Sequence, residues 1–246
     1  NEILVEMIQF LQPNQAIVKG DDIIAFYTTD DQEEVDFDAY ELLEIDADCL
    51  QVENSWDIFQ KNDQAIREDF EILTQDRKSQ PIPSTVNVLG AENIFIEEGA
   101  QLNFCTLNAT TGPIYIGKDA EIMEGSVIRG PFALCDHAQV KLATKIYGAT
   151  TVGPHCRVGG EVNNSVMFAY SNKGHDGFLG NAVLGEWCNI GADSNNSNLK
   201  NNYESVKLWN YETERFVNTG LQFCGLMMGD HSKCGINTMF NTGTVV

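Results

Sequence analysis

The chain has 246 residues, a formal net charge of −21 and 43% apolar residues. Residues 1–90 carry −16 of that charge; such a surface repels phosphate backbones and anionic bilayers, which argues against general nucleic-acid or membrane-surface binding. No apolar run approaches the roughly 20 residues needed to span a bilayer, and the seven cysteines, odd in number and lacking any C-x-x-C pair, read as buried reduced thiols of a cytoplasmic protein.

The chain opens on Asn1 and stops inside a repeat, so a piece of a longer protein is expected. Residues 1–35 mix short apolar runs such as "AIVKGDDIIAFYT" with acidic turns, which predicts a helix and then one or two strands. The acidic stretch "DDQEEVDFDAYELLEIDADCL" fits no single pattern. From Ser55 the spacing of Trp56, Phe59, Ile66, Phe70 and Leu73 predicts an amphipathic helix, with Ser55 or Asn54 as its N-cap. Pro81 and Pro83 break it. The expected division is a small α/β segment over 1–90 and a second domain over 91–246.

After Ala91 an internal repeat takes over. Ile116, Ile122, Ile128, Leu134, Val140, Ile146, Val152 and Val158 stand six apart without a gap. If about one residue in five is Ile, Leu or Val, eight such hits arise by chance on the order of once in 400,000. The fifth slot of each unit is small (Ala120, Ser126, Ala138, Thr144, Thr150, Cys156), with Phe132 the exception. A period of six is neither helical nor that of a simple strand. It means a short strand plus a tight corner, three of which close one triangular coil. The expected fold is therefore mainly β: a left-handed parallel β-helix built from hexapeptide repeats, preceded by the α/β segment.

The frame then slips by two. Val166, Asn172, Phe178, Leu184, Ile190 and Asn196 form a second series, and Met228, Cys234, Phe240 and Val246 a third. "NLKNNYESVKLWNYETERFVNTG" between them breaks the period and is read as a loop or hairpin leaving the helix.

All four histidines, His137, His155, His175 and His231, fall in the fourth slot, beside a corner. His137, His155 and His175 are expected to stack along one edge. Three stacked imidazoles suggest a zinc site, but alternate rungs lie about 9.6 Å apart, whereas a zinc ion needs every nitrogen at about 2.0–2.1 Å. Polar corners are the favoured reading, and no bound metal is expected. A metal-dependent lyase like the gamma-class carbonic anhydrases, with the metal shared between subunits, stands as a lesser alternative.

"NKGHDGFLGNAVLGEWCNIGAD" carries a family pattern, G-H-x-x-[YF]-L-G-[DN]-A-x-[IL]-G followed by N-I-G-A. Here these are Gly174, His175, Phe178, Leu179, Gly180, Asn181, Ala182, Leu184 and Gly185, then Asn189, Ile190, Gly191 and Ala192. The stretch resembles the acetyltransferase domain of the bifunctional N-acetylglucosamine-1-phosphate uridylyltransferase/glucosamine-1-phosphate N-acetyltransferases. It is more similar still to the related sugar nucleotidyltransferases of Bacteroidetes. The first 90 residues resemble the tail of the nucleotidyltransferase domain in those proteins, with "VENSWDIFQKNDQAIREDFE" as connecting segment and helix.

The resemblance implies an acetyl transfer from acetyl-CoA, as co-substrate, to the amine of a sugar phosphate or nucleotide sugar. His175 would be the general base, which suits an imidazole that is neutral and accepting near pH 7. Asn198 would sit near the amine and acetyl group. Asn189 would contact the sugar phosphate, with Lys173, Phe178 and Lys145 completing the substrate-binding set. Lys145 falls at the simple offset of a phosphate-holding residue of the family, and Arg129 and Arg157 remain unassigned. The family's Tyr after its Asn is Leu199 here, and its downstream Lys is Glu204. Flat prism faces favour a closed homotrimer, with the site between subunits. The alternative is a scaffold that trimerises a nucleotidyltransferase and binds nucleotide sugar without acylating it.

Overall fold

The structure, a computed structural model, describes residues 2–29, 35–46 and 49–246, in two compact units, Asn1–Gln51 and Val52–Val246. In the first unit an amphipathic helix, Glu2–Gln9, precedes strands Gln15–Lys19 and Asp22–Phe26, an antiparallel hairpin turned at Gly20. Strand Glu41–Glu44 adds in parallel on the other side of Gln15–Lys19. Ile17 and Ile45 form its buried centre, with Leu4, Met7, Leu11 and Leu43 packed around them. The acidic stretch that sequence left unassigned supplies that third strand, and part of it lies outside the described residues.

The second unit opens with helices Asp57–Gln60 and Asn62–Thr74. The predicted helix is present but stepped at Lys61, and its start differs from expectation. The Asp57 carboxylate, not Ser55 or Asn54, accepts from the Glu53 and Asn54 amides, at 3.0 and 2.9 Å. A carboxylate this close to the helix start also complements its positive end. Burial pushes the Asp57 carboxyl up, but these amide bonds outweigh it and hold it below the usual range. Phe59 and Ile66 are buried, while Ile72 and Leu73 are exposed.

The remainder is a parallel β-solenoid of about nine turns. Its three faces are sheets of six, eight and seven short strands. All eight residues of the gapless series are buried, as are the small fifth-slot residues beside them. Burying one such aliphatic contributes roughly 1.5–3 kcal/mol, so the series dominates the energetics of the unit. The small polar ones are satisfied: Ser126 and Thr144 hydroxyls both donate to the Lys141 carbonyl, at 2.9 and 2.6 Å.

The eight-stranded face is covered by its own chain. Asn62 bridges to it, donating to the Ala149 carbonyl at 2.6 Å and accepting from the Thr151 hydroxyl at 2.8 Å. Further along, the period-breaking segment forms a hairpin, Lys207–Asn210 with Arg215–Asn218. Val206 and Leu208 join Phe59 in a second core over Val166, Val183 and Met227. Among the described residues of this unit, the six- and seven-stranded faces carry no such second core.

The first three members of the slipped series are corrected by one position, while Leu184, Ile190 and Asn196 hold the inward slots expected of them. Register pairs Val152 with Met167, Val158 with Lys173, and Val162 with Leu179. The inward row therefore runs Val158, Val162, Met167, Lys173, Leu179, Leu184, Ile190, Asn196. Val166 stands under the second core, and Asn172 and Phe178 are only half-buried on the outside. The cause is a contracted coil: the step from Arg157 to its partner Asn172 is shorter than the step from Gln139 to its partner Arg157. Gly159 and Gly160 make this possible. A Cβ on either would lie within 2.7 Å of a carbonyl oxygen, that of Gly174 or Gly177.

No helix among the described residues is long and apolar enough to cross a membrane.

Candidate active site

A cleft of about 580 Å³ opens on the seven-stranded face. His175, exposed at its rim, shares it with Asn189, Asn172, Gly174, Lys141 and Arg157. Asn189 and Asn172 are register partners on adjacent rungs, so their amides stand side by side. Lys141 and Arg157 converge on the residue before His175: a Cβ on Gly174 would lie 4.0 Å from Lys141 Cγ and 3.9 Å from Arg157 Cβ. Lys141 donates to the Gln139 side chain at 3.4 Å. Among the described residues neither cation has a carboxylate within 4.0 Å. Two cations without a carboxylate partner, on one wall of a strongly acidic protein, are suited to a phosphate group. An imidazole with exchangeable protons at the rim, and amides that both donate and accept, suit a neutral sugar and its amine.

Sequence missed Lys141 and left Arg157 unassigned. The signal was the register: Gln139 pairs with Arg157, which brings Lys141 and Arg157, nearly a full coil apart in the chain, onto adjoining rungs of one face. The contracted coil then brings Gly174 beneath both.

Lys145, chosen by offset, lies on the six-stranded face, exposed and 3.6 Å from Glu161, in a second cleft with Arg129 and Tyr147. Lys173 is buried, at 2% exposure, with its ammonium donating to the carbonyls of Gly159 (3.1 Å) and His175 (2.6 Å). Burial pushes its pKa down to about 8, with Asp176 and Asp193 opposing that shift. Phe178 lies across the bend from His175, on the six-stranded face. Its ring covers Gly180, where an added Cβ would strike both that ring and the Asn198 amide. Asn198 donates to Asn181 at 2.8 Å. Within one chain, then, the expected residues form two groups: His175 with Asn189, and Phe178 with Asn198.

The expected three-histidine stack is corrected too. His137 and His155 stack at 4.8 Å, but the next ring is Tyr170 (5.0 Å) and then Trp187 (4.6 Å). These four, with His231, hold the left-handed corner slot, φ 58–60°. The contracted coil brings Tyr170 under His155 and leaves His175 out of the stack, near the next corner. Among the described residues no group of three or more His, Cys, Asp or Glu side chains is placed to hold a metal ion.

Residues 1–78 match the model of a family described as sugar nucleotidyl transferase. The bifunctional protein GlmU of Trichodesmium erythraeum is 31% identical over 127 residues, 51% of this chain and 22% of that protein. GlmU of Synechococcus elongatus is 23% identical over 213 residues, 78% of this chain and 43% of that protein. An Escherichia coli protein named as the uncharacterized acetyltransferase YaiX is 24% identical over 162 residues, 65% of each chain. The chain thus spans less than half the length of the GlmU proteins it matches. Over parts of its length, then, the chain is similar to proteins named as transferases.

Proposed function

We propose that the solenoid transfers an acetyl group from acetyl-CoA to the amine of a sugar phosphate or nucleotide sugar, with His175 as general base. The observation that carries this reading is the single cleft shared by His175, Asn189 and the cations Lys141 and Arg157. His175 takes a proton from the acceptor amine as the amine nitrogen attacks the thioester carbonyl; the C–N bond forms, the C–S bond breaks, and the departing CoA thiolate takes that proton back from His175 to leave as the thiol. A thioester is activated enough that positioning and oxyanion donors suffice without a covalent enzyme nucleophile. Lys141 and Arg157 hold the acceptor's phosphate. The two separate groups suggest a site completed between copies of the chain, in a homotrimer packed through the uncovered faces, so that Phe178 and Asn198 of one copy approach His175 of the next. Residues 1–90 are the tail of a nucleotidyltransferase domain in this reading, which the match over 1–78 supports.

The test is calorimetric titration with acetyl-CoA together with an acetyl-transfer assay on amino sugar phosphates. Binding and turnover are expected. No binding up to millimolar concentration would favour the non-acylating scaffold.

A further inference from the structure

We propose that Lys173 is a positioning residue, an internal clamp that fixes the bend bearing His175. This inference rests on the acetyl-transfer reading for its catalytic consequence, though not for its structural one.

The inward row is aliphatic above and below this point: Val158 pairs with Lys173 from the preceding coil, and Leu179 and Ile190 follow. Among the described residues Lys173 is the only fully buried lysine or arginine. Burying an ammonium costs several kcal/mol unless its donors are matched, so a lysine persists in such a row only where it satisfies something. Here the need is created by the contracted coil. The Gly159–Gly160 corner is tighter than the Gly174–Gly177 bend beneath it, and the two corners do not stack residue for residue. The Gly159 amide still reaches the Lys173 carbonyl at 2.7 Å. The carbonyls of Gly159 and His175 point inward, and the Lys173 ammonium takes both. One side chain thus ties the corner above to the peptide of His175. A carbonyl held at 2.6 Å fixes the peptide plane, and with it the direction in which the imidazole leaves the backbone. The charged groups around the clamp are Asp176 and Asp193 at the neighbouring corners and Lys141 and Arg157 on the outer side of Gly174, where the titratable His175 also lies.

The experiment compares Lys173→Met, Lys173→Gln and Lys173→Arg with wild type by two readouts: steady-state acetyl transfer and amide hydrogen exchange. Methionine fills the volume without donors. Its expected result is a fall in kcat of about 10- to 100-fold with KM within about twofold, as for a misplaced catalytic group. Exchange at amides 174–177 should accelerate at least about tenfold while amides 116–158 keep their protection. Arginine, which keeps the charge, should restore part of both; glutamine, which keeps N–H donors, should fall between. If the methionine variant does not fold, the glutamine and arginine variants give the same comparison. Unchanged exchange at 174–177, or faster exchange without loss of kcat, overturns the proposal. His175→Ala serves as the control: wild-type turnover in that variant sinks the general-base reading alone, and the exchange data then judge the clamp by themselves.

Discussion

Two stretches of one solenoid behave differently. Between Ile116 and Val158 every coil has the same length, every inward slot is aliphatic and every fifth slot but that of Phe132 is small. Between Gly159 and Asn198 the coils are shorter and unequal, and a lysine and an asparagine enter the inward row. The regular stretch is stability repeated. The irregular one gives up aliphatic burial and ladder regularity, and it brings His175 and Asn189 to a cleft whose cations, Lys141 and Arg157, come from the regular stretch. Irregularity in a repeat protein points to the site because each contracted corner re-aims the residues next to it.

The difference can be broken from either side. The largest effect belongs to the regular stretch: Val140→Asp places a carboxylate in a fully buried slot with no donor and should cost about 4 kcal/mol or more, read as loss of cooperative unfolding in denaturant. Around the cleft, where the two stretches meet, the effects fall on activity. His175→Ala should unfold at the wild-type denaturant midpoint yet lose about 100-fold in acetyl transfer, the usual range for a general base. Arg157→Met and Lys141→Met should each raise KM for a phosphorylated acceptor about tenfold, roughly the loss of one charge-assisted contact. An unphosphorylated amino sugar assayed beside it should show no such change. Equal losses on both acceptors would place the cations on CoA instead.

The regular stretch was fully legible because one rule, an aliphatic every six residues, is both necessary and sufficient for a coil of constant length. The slip was visible too, but its placement was not. A pattern of Val166, Asn172 and Phe178 satisfies the same period as Met167, Lys173 and Leu179, and only the ladder registers choose between them. That error of a single position turned a buried lysine into a surface one and placed His175 at the end of a ring stack. The N-terminal unit was legible only as elements, because its third strand, Glu41–Glu44, hides in an acidic run and is half-buried only at Leu43. The cations of the cleft went unread as a pair because Lys141 and Arg157 do not hold equivalent slots of adjoining units; what they share is Gly174, which the contracted coil brings beneath both.

The smallest predicted effect probes the inward lysine by its proton. In the unfolded chain Lys173 holds its proton up to about pH 10.4, whereas burial brings the folded value down to about 8. Below pH 8 both states carry the charge, and the fold bears the full desolvation cost. Between about 8 and 10.4 the unfolded state binds the extra proton, so stability rises with pH across that window, by at most about 1.4 kcal/mol per pH unit. Buried thiols act in the opposite sense: Cys105, Cys135 and Cys156, each pushed up to about 11, favour the folded state less as the unfolded thiols ionise near pH 9. The lysine contribution must therefore be read as a difference. Denaturant midpoints of wild type and Lys173→Met, measured from pH 7 to 10, carry the same thiols and differ in this one proton. Wild type should gain on the variant steadily above pH 8. A constant gap across the range would mean that the lysine titrates alike in both states, and that its charge reaches solvent rather than the interior of the coil.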